Sequence, residues 1–134
     1  MRNCTNSREA TAAIEAGINK RITILSNEEE AHLGFLGASL DRYLDHGTMV
    51  DIGGGSTELT HILDGLDLDK VSIPQGSLSS FANYTSGILP SAKEVETIAK
   101  QFRTLASKEG AEIYASKQLY GIGGSVRSAA KVYG

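Results

Sequence analysis

The run Val50-Asp51-Ile52-Gly53-Gly54-Gly55-Ser56-Thr57-Glu58 constrains the fold of this chain more than any other feature. A short apolar stretch from Thr48 to Ile52 enters three consecutive glycines, and Ser56 to Leu63 resumes a strand pattern beyond them. Glycine adopts backbone conformations closed to other residues and weakens regular structure, so three in a row between two strand-like runs mark a tight reversal. A β-hairpin follows. Asp64-Gly65 marks a second reversal, since this pair favours the positive-φ turn that matches strand twist. Val71-Ser72-Ile73 supplies a third strand, and Pro74 limits its pairing because proline cannot donate to the ladder. The expectation is an antiparallel meander of three strands.

Helices flank it. Residues 8 to 16, rich in alanine and closed by Gly17, predict a short helix with a glycine stop. Ile22-Thr23-Ile24-Leu25 reads as a buried strand. Ser26-Asn27-Glu28-Glu29 has the capping-box form, and Leu33, Leu36, Leu40 and Leu44 recur at helical spacing, so a helix is expected from about Asn27 to about Tyr43. A second capping box, Ser91 with Glu94, opens a helix whose face carries Val95, Ile98, Phe102 and Leu105 until Gly110. Leu119-Tyr120-Gly121-Ile122 is one more strand, followed by Gly123-Gly124 and a terminal helix capped by Ser125. The polar stretches from Asp41 to Thr48 and from Thr85 to Ser91 read as connections. This is an α/β chain with a mixed sheet and helices.

Composition narrows the partners. With 134 residues, 40% of them hydrophobic, the chain can bury a core without staples. Lys and Arg number 13 against 16 Asp and Glu, which gives no electrostatic reason to expect nucleic acid or an anionic membrane. Cys4, the single cysteine, cannot form an internal disulfide, and no membrane-length apolar run or signal-type start is visible, so a cytoplasmic setting is expected. His32, His46 and His61 lack metal-ligand spacing and are read as surface residues. Cys4 lacks the basic or helix-start context of a reactive thiol.

The glycine run also suits an anion. Bare backbone can approach a phosphate and turn its N–H groups toward it. Asp51 at the strand end could hold Mg²⁺ or orient a water, Glu58 across the hairpin could share that metal or water, and the Ser56 and Thr57 hydroxyls could bind phosphate oxygens. The plainer reading of three glycines is a hairpin turn with Asp51 solvated at its edge.

The full string Asp51-Ile52-Gly53-Gly54-Gly55-Ser56-Thr57-Glu58-Leu59 resembles the second phosphate-binding motif of the Ppx/GppA phosphatase family, within the actin, sugar-kinase and heat-shock chaperone superfamily. Ser26-Asn27-Glu28-Glu29-Glu30-Ala31 is similar to that family's Ser-Gly-x-Glu-Glu-Ala stretch, with Asn27 in place of glycine. The resemblance implies that Glu30 activates the attacking water. On a helical wheel Glu29 follows the Leu33 and Leu36 stripe, whereas Glu30 lies toward Gly34 and Gly37, where a backbone or ligand can approach. Acids in a first helical turn also stabilise the positive end of the dipole, which is the plainer reading of Glu28 and Glu29.

Cys4-Thr5-Asn6-Ser7-Arg8-Glu9-Ala10 resembles the family's Ala-Thr-x-x-Leu-Arg-x-Ala, one residue shorter, and implies a phosphate-binding Arg8. Gly123-Gly124-Ser125-Val126-Arg127 resembles its Gly-Gly-Thr-x-Arg turn, implying that Gly123, Gly124, Ser125 and Arg127 approach the substrate.

Taken together, the resemblance implies a ribonuclease-H-like lobe. Residues 1–47 correspond to the last helix-strand-helix of a first lobe, and residues 48–134 to most of a second. The family's Asp-x-Gly-Ser-Asn loop is absent, so the chain reads as part of a longer enzyme, inactive by itself. The implied activity is hydrolysis of terminal phosphoanhydride bonds in inorganic polyphosphate or guanosine pentaphosphate, with Glu30, Asp51 and Glu58 catalytic and Mg²⁺ on Asp51 and Glu58. A homodimer is left open. An ATP-binding kinase or actin-like protein of the same superfamily, or a non-catalytic phosphate-binding module, are the alternatives.

Overall fold

The computed structural model describes residues 5–133, which leaves Cys4 outside. Strands β1 (Gly47–Ile52), β2 (Thr57–Leu63) and β3 (Leu66–Ile73) form the expected antiparallel meander, and β4 (Leu119–Ile122) joins β1 in parallel. The sheet order is β3-β2-β1-β4, a mixed sheet. Asp64 and Gly65 both have positive φ, 53° and 73°, the conformation required of a two-residue hairpin turn of this twist. β3 stops at Ile73, the residue before Pro74.

Because strand side chains alternate, the register assigns each residue to a face. Met49, Asp51, Glu58, Ile62, Tyr120 and Ile122 share one face, and Thr48, Val50, Ile52, Thr57 and Leu59 the other. Helix α2 (Asn27–Ser39) covers the first, where Phe35 joins Leu44, Met49 and Ile62 in a buried cluster. The second is faced by α4 (Ala92–Lys108) and the 3₁₀ turn Ala111–Tyr114, where the Thr48 hydroxyl donates to the Tyr114 carbonyl at 2.5 Å.

Both capping boxes form. Ser26 Oγ accepts from Glu29 N while Glu29 Oε2 accepts from Ser26 N, and Ser91 and Glu94 repeat the exchange. Glu94 also accepts from the Ser86 amide and hydroxyl. The Ser91 amide and hydroxyl, and then those of Ser86, hold Glu94 down to about 2. A depressed carboxylate stabilises the fold above its unfolded value, and that contribution disappears as pH falls through the folded one. Glu94→Gln is therefore expected to flatten the stability profile between about pH 4.5 and about pH 2. Urea unfolding across that range checks it; an unchanged slope contradicts it.

Four expectations need correction. Residues 21–26 join none of the four described strands. The Ile22 amide instead donates to Glu15 Oε1 at 2.7 Å. Gly17 lies inside α1 (Ser7–Ile18), and the left-handed stop is Asn19. On α2 the leucine stripe faces outward, with Leu33, Leu36 and Leu40 at 50%, 45% and 87% exposure, while Ala31 and Phe35 are buried. Small residues decide this: a Cβ at Gly34 would already press on Ile122 Cδ1 at 3.3 Å, so this face lets the helix approach the sheet. Finally, α5 (Gly123–Tyr133) starts at Gly123, which places Ser125 in its first turn rather than at a cap, and residues 77–84 form an unforeseen helix, α3 (Ser77–Tyr84).

Candidate functional site

Parallel pairing brings the C-terminal ends of β1 and β4 side by side, Asp51 opposite Ile122. The triple-glycine turn leaves β1 there and α5 leaves β4 there. Clefts beyond the carboxyl ends of parallel strands are where α/β sheets bind ligands.

Asp51 occupies this edge. Gly123 begins α5 at φ 82°, and a Cβ on it would overlap Asp51 Oδ1, so the carboxylate lies against bare backbone. Partial burial, and next the negative charge of Glu30, push the Asp51 carboxyl above the usual range, whereas Arg127 opposes them. Glu30 and Arg127 are thus each within electrostatic reach of Asp51. Their helices explain it: Gly34, one turn after Glu30, abuts Met49 and Ile122, which carries Glu30 toward the end of β1. Arg127 is in the first turns of α5. Gly121 lets this helix pack closely, since a Cβ there would collide with Val126.

Glu58 is the direct cross-strand partner of Asp51, which puts the two carboxylates on one face. It is 7% exposed. Its Oε1 accepts from the Ser56 hydroxyl at 2.5 Å and the Ser72 hydroxyl at 3.1 Å. Asn27, Glu28 and Ala31 of α2 border the small cavity beside it, together with Lys70 and Ser72. Ser56 therefore serves Glu58 with its hydroxyl. Thr57 departs further from expectation: it is buried on the opposite face, and its hydroxyl donates to the Gln75 carbonyl at 2.8 Å. Strand alternation is the reason. Gly54, Gly55 and Gly124 are exposed, with Gly55 and Gly124 facing open space. Ser125 is partly buried in the first turn of α5, and Arg8 lies exposed in the first turn of α1.

Sequence reasoning missed the support of the glycine turn by α3. Ser77 N and Ser79 N donate to the Gly53 and Gly54 carbonyls, each at 2.9 Å. The Ser77 hydroxyl adds a 3.1 Å bond to Gly53 O. The available signal was Gly76-Ser77-Leu78-Ser79 after Pro74, hydroxyl residues following a glycine at a helix start. His32, read as a surface residue, is half-exposed and bonds Asp67 Oδ2 at 2.8 Å, linking α2 to β3.

Among the described residues no group of three or more His, Cys, Asp or Glu could hold a metal ion. Mg²⁺ nevertheless fits the donor set at the end of β1, since it takes hard oxygen ligands and is usually held by one or two carboxylates with substrate phosphates. Asp51 and Glu58 are the carboxylates in position.

Comparison with known proteins identifies the family and the fold. The model of the Ppx/GppA phosphatase family matches residues 1–133. No curated protein matches by sequence. Among solved structures, an exopolyphosphatase-like protein superposes with a TM-score of 0.87 at 22% identity. An exopolyphosphatase from Cytophaga hutchinsonii gives 0.77 at 17%, and the Aquifex aeolicus PPX-GPPA enzyme 0.75 at 20%. Each match covers 98% of this chain, which spans only 43% of each relative's length. No helix among the described residues is long and apolar enough to cross a membrane.

Proposed function

The chain belongs to the Ppx/GppA phosphatase family, and from that premise we propose that it forms part of a cytoplasmic hydrolase cleaving terminal phosphoanhydride bonds in polyphosphate or guanosine pentaphosphate. The observation that carries this reading is the Asp51 carboxylate at the end of β1, set against the bare backbone of Gly123 beside the triple-glycine turn, with Glu30 and Arg127 within electrostatic reach of it. Phosphoryl transfer asks a protein mainly for positioning and charge neutralisation, and this edge offers both.

In the proposed reaction a water oxygen attacks the terminal phosphorus in line, its proton passes to the Glu30 carboxylate, and the bond to the bridging oxygen breaks, leaving the shortened chain as an oxyanion. Glu30 suits the base because it faces the end of β1 from a helix seated on the sheet. The Gly54, Gly55 and Ser56 amides would cradle the phosphoryl oxygens, whereas the Gly53 amide, expected to join them, donates to the Ser56 carbonyl at 3.0 Å and closes the turn; Gly123, Gly124, Ser125 and Arg127 would stand on the opposite side. When bound, Mg²⁺ would neutralise phosphate charge at Asp51. Glu58, enclosed by two hydroxyls, would back that site across the strand pair. Arg8 is proposed as a further phosphate contact on the family pattern alone.

Binding tests this without requiring turnover. Titration calorimetry of the chain with tripolyphosphate is expected to show Mg²⁺-dependent binding that Asp51→Asn weakens at least about tenfold. Equal binding by the variant would remove Asp51 from the site.

A further inference from the structure

We propose that the first turn of α3 is a positioning device for the glycine turn, with Ser77 as its principal positioning residue; the consequence for ligand affinity rests on the phosphate-binding reading above. All peptide bonds among the described residues are trans, and in a trans peptide the C=O and the next N–H point in opposite directions. Ser77 N and Ser79 N draw the Gly53 and Gly54 carbonyls toward α3, so the amides of Gly54 and Gly55 are turned away from it. The Ser79 hydroxyl, whose nearer acceptor is Gly76 O at 3.3 Å, also lies 3.5 Å from Gly55 O, a weaker hold on the peptide that carries the Ser56 amide. Successive N–H groups facing one way make an anion-binding concavity.

Glycine by itself does not select this arrangement. Its wide conformational freedom leaves these peptides able to flip, and the donors on α3 choose one orientation. The fit is close: a Cβ at Gly76 would reach Gly53 O at 2.4 Å and the Gly54 carbonyl carbon at 2.7 Å. Ser79 Oγ in turn accepts from Gly76 N at 2.8 Å, which secures the start of the helix. The brace sits behind the turn, and these serines orient the binding amides from there.

Ser77→Pro tests the device. Ser77 is the first helical residue, where proline is tolerated, and Gly76 at φ −127°, ψ −170° is already extended as a residue before proline must be. The substitution removes the amide and hydroxyl that hold Gly53 O while leaving a viable helix start. In ligand-free protein, the ¹⁵N–¹H resonances of Gly54, Gly55 and Ser56 are expected to move or broaden, while those of the distant Asp64-Gly65 turn stay in place. Tripolyphosphate affinity with Mg²⁺ should fall about tenfold. Unmoved glycine resonances would overturn the proposal whether or not the wild type binds tripolyphosphate; a wild type that fails to bind counts against the phosphate reading alone. Should the proline variant not fold, hydrogen exchange of the wild-type Ser77 and Ser79 amides carries the same test, because the Gly53 and Gly54 carbonyls are the acceptors of these two donors. Protection of both amides supports the brace, and exchange at the rate of an open chain refutes it.

Discussion

Gly123→Ala is expected to destabilise the chain by about 2–5 kcal/mol, the sum of two separate penalties. The first is conformational, because Gly123 sits at φ 82°, where a side chain crowds its own carbonyl at a cost of about 1–2 kcal/mol. The second is steric: the new Cβ would overlap Asp51 Oδ1, and room for it requires moving a carboxylate or the start of α5, at about 1–3 kcal/mol. Tripolyphosphate binding should weaken along with stability, because the displaced group is Asp51. Gly17→Ala in α1, where open space surrounds the added carbon, is the control and should leave binding close to wild type. Urea denaturation of both variants checks the pair. Equal stabilities would mean that Gly123 does not adopt the described conformation.

Glu30→Gln should have the largest effect on turnover. In a protein of the solved relatives' length that carries this chain, Mg²⁺-dependent phosphate release is expected to fall by about 10²–10⁴, the usual worth of a positioned general base. Glutamine keeps the shape but cannot take the proton, so KM should change far less than kcat. A rate within about twofold of wild type would assign the base elsewhere.

Local signals made much of the fold legible. Asp64-Gly65, the two capping boxes and Pro74 act within a few residues of chain, and each appears where its own chemistry requires. What needed tertiary information was less visible. Helix α2 is apolar on two sides, and periodicity favoured the leucines because they are larger; contact with the sheet chose Ala31, Gly34 and Phe35 because they permit a close approach. Residues 22–25 have strand composition yet join none of the four described strands. The parallel partnership of β4 with β1 joins residues far apart in sequence, and no local pattern announces it.

The candidate site divides along the same line. The glycine turn, Asp51 and Glu58 were readable as a string. The wheel of α2 sets Glu30 on the side of Gly34, the glycine that packs against Ile122, while the leucine stripe it favoured is exposed. Thr57 was misplaced because the turn ends one residue earlier than its hydroxyl would need, and strand alternation then sends it to the opposite face. The serines of α3 could not be connected to Gly53 and Gly54 without knowing that β3 returns beside the turn.

Everything functional depends on Glu30 standing close to Asp51, and a carboxyl titration reads that proximity without substrate or metal. Burial and the charge of Glu30 both raise the Asp51 pKa, so neutralising Glu30 removes one of the two and leaves Arg127 less opposed. Followed by ¹³C NMR of the Asp51 carboxyl in the 134-residue chain, Glu30→Gln is predicted to shift the titration midpoint to lower pH than wild type. Identical midpoints in the two proteins would place Glu30 away from Asp51 and contradict the account.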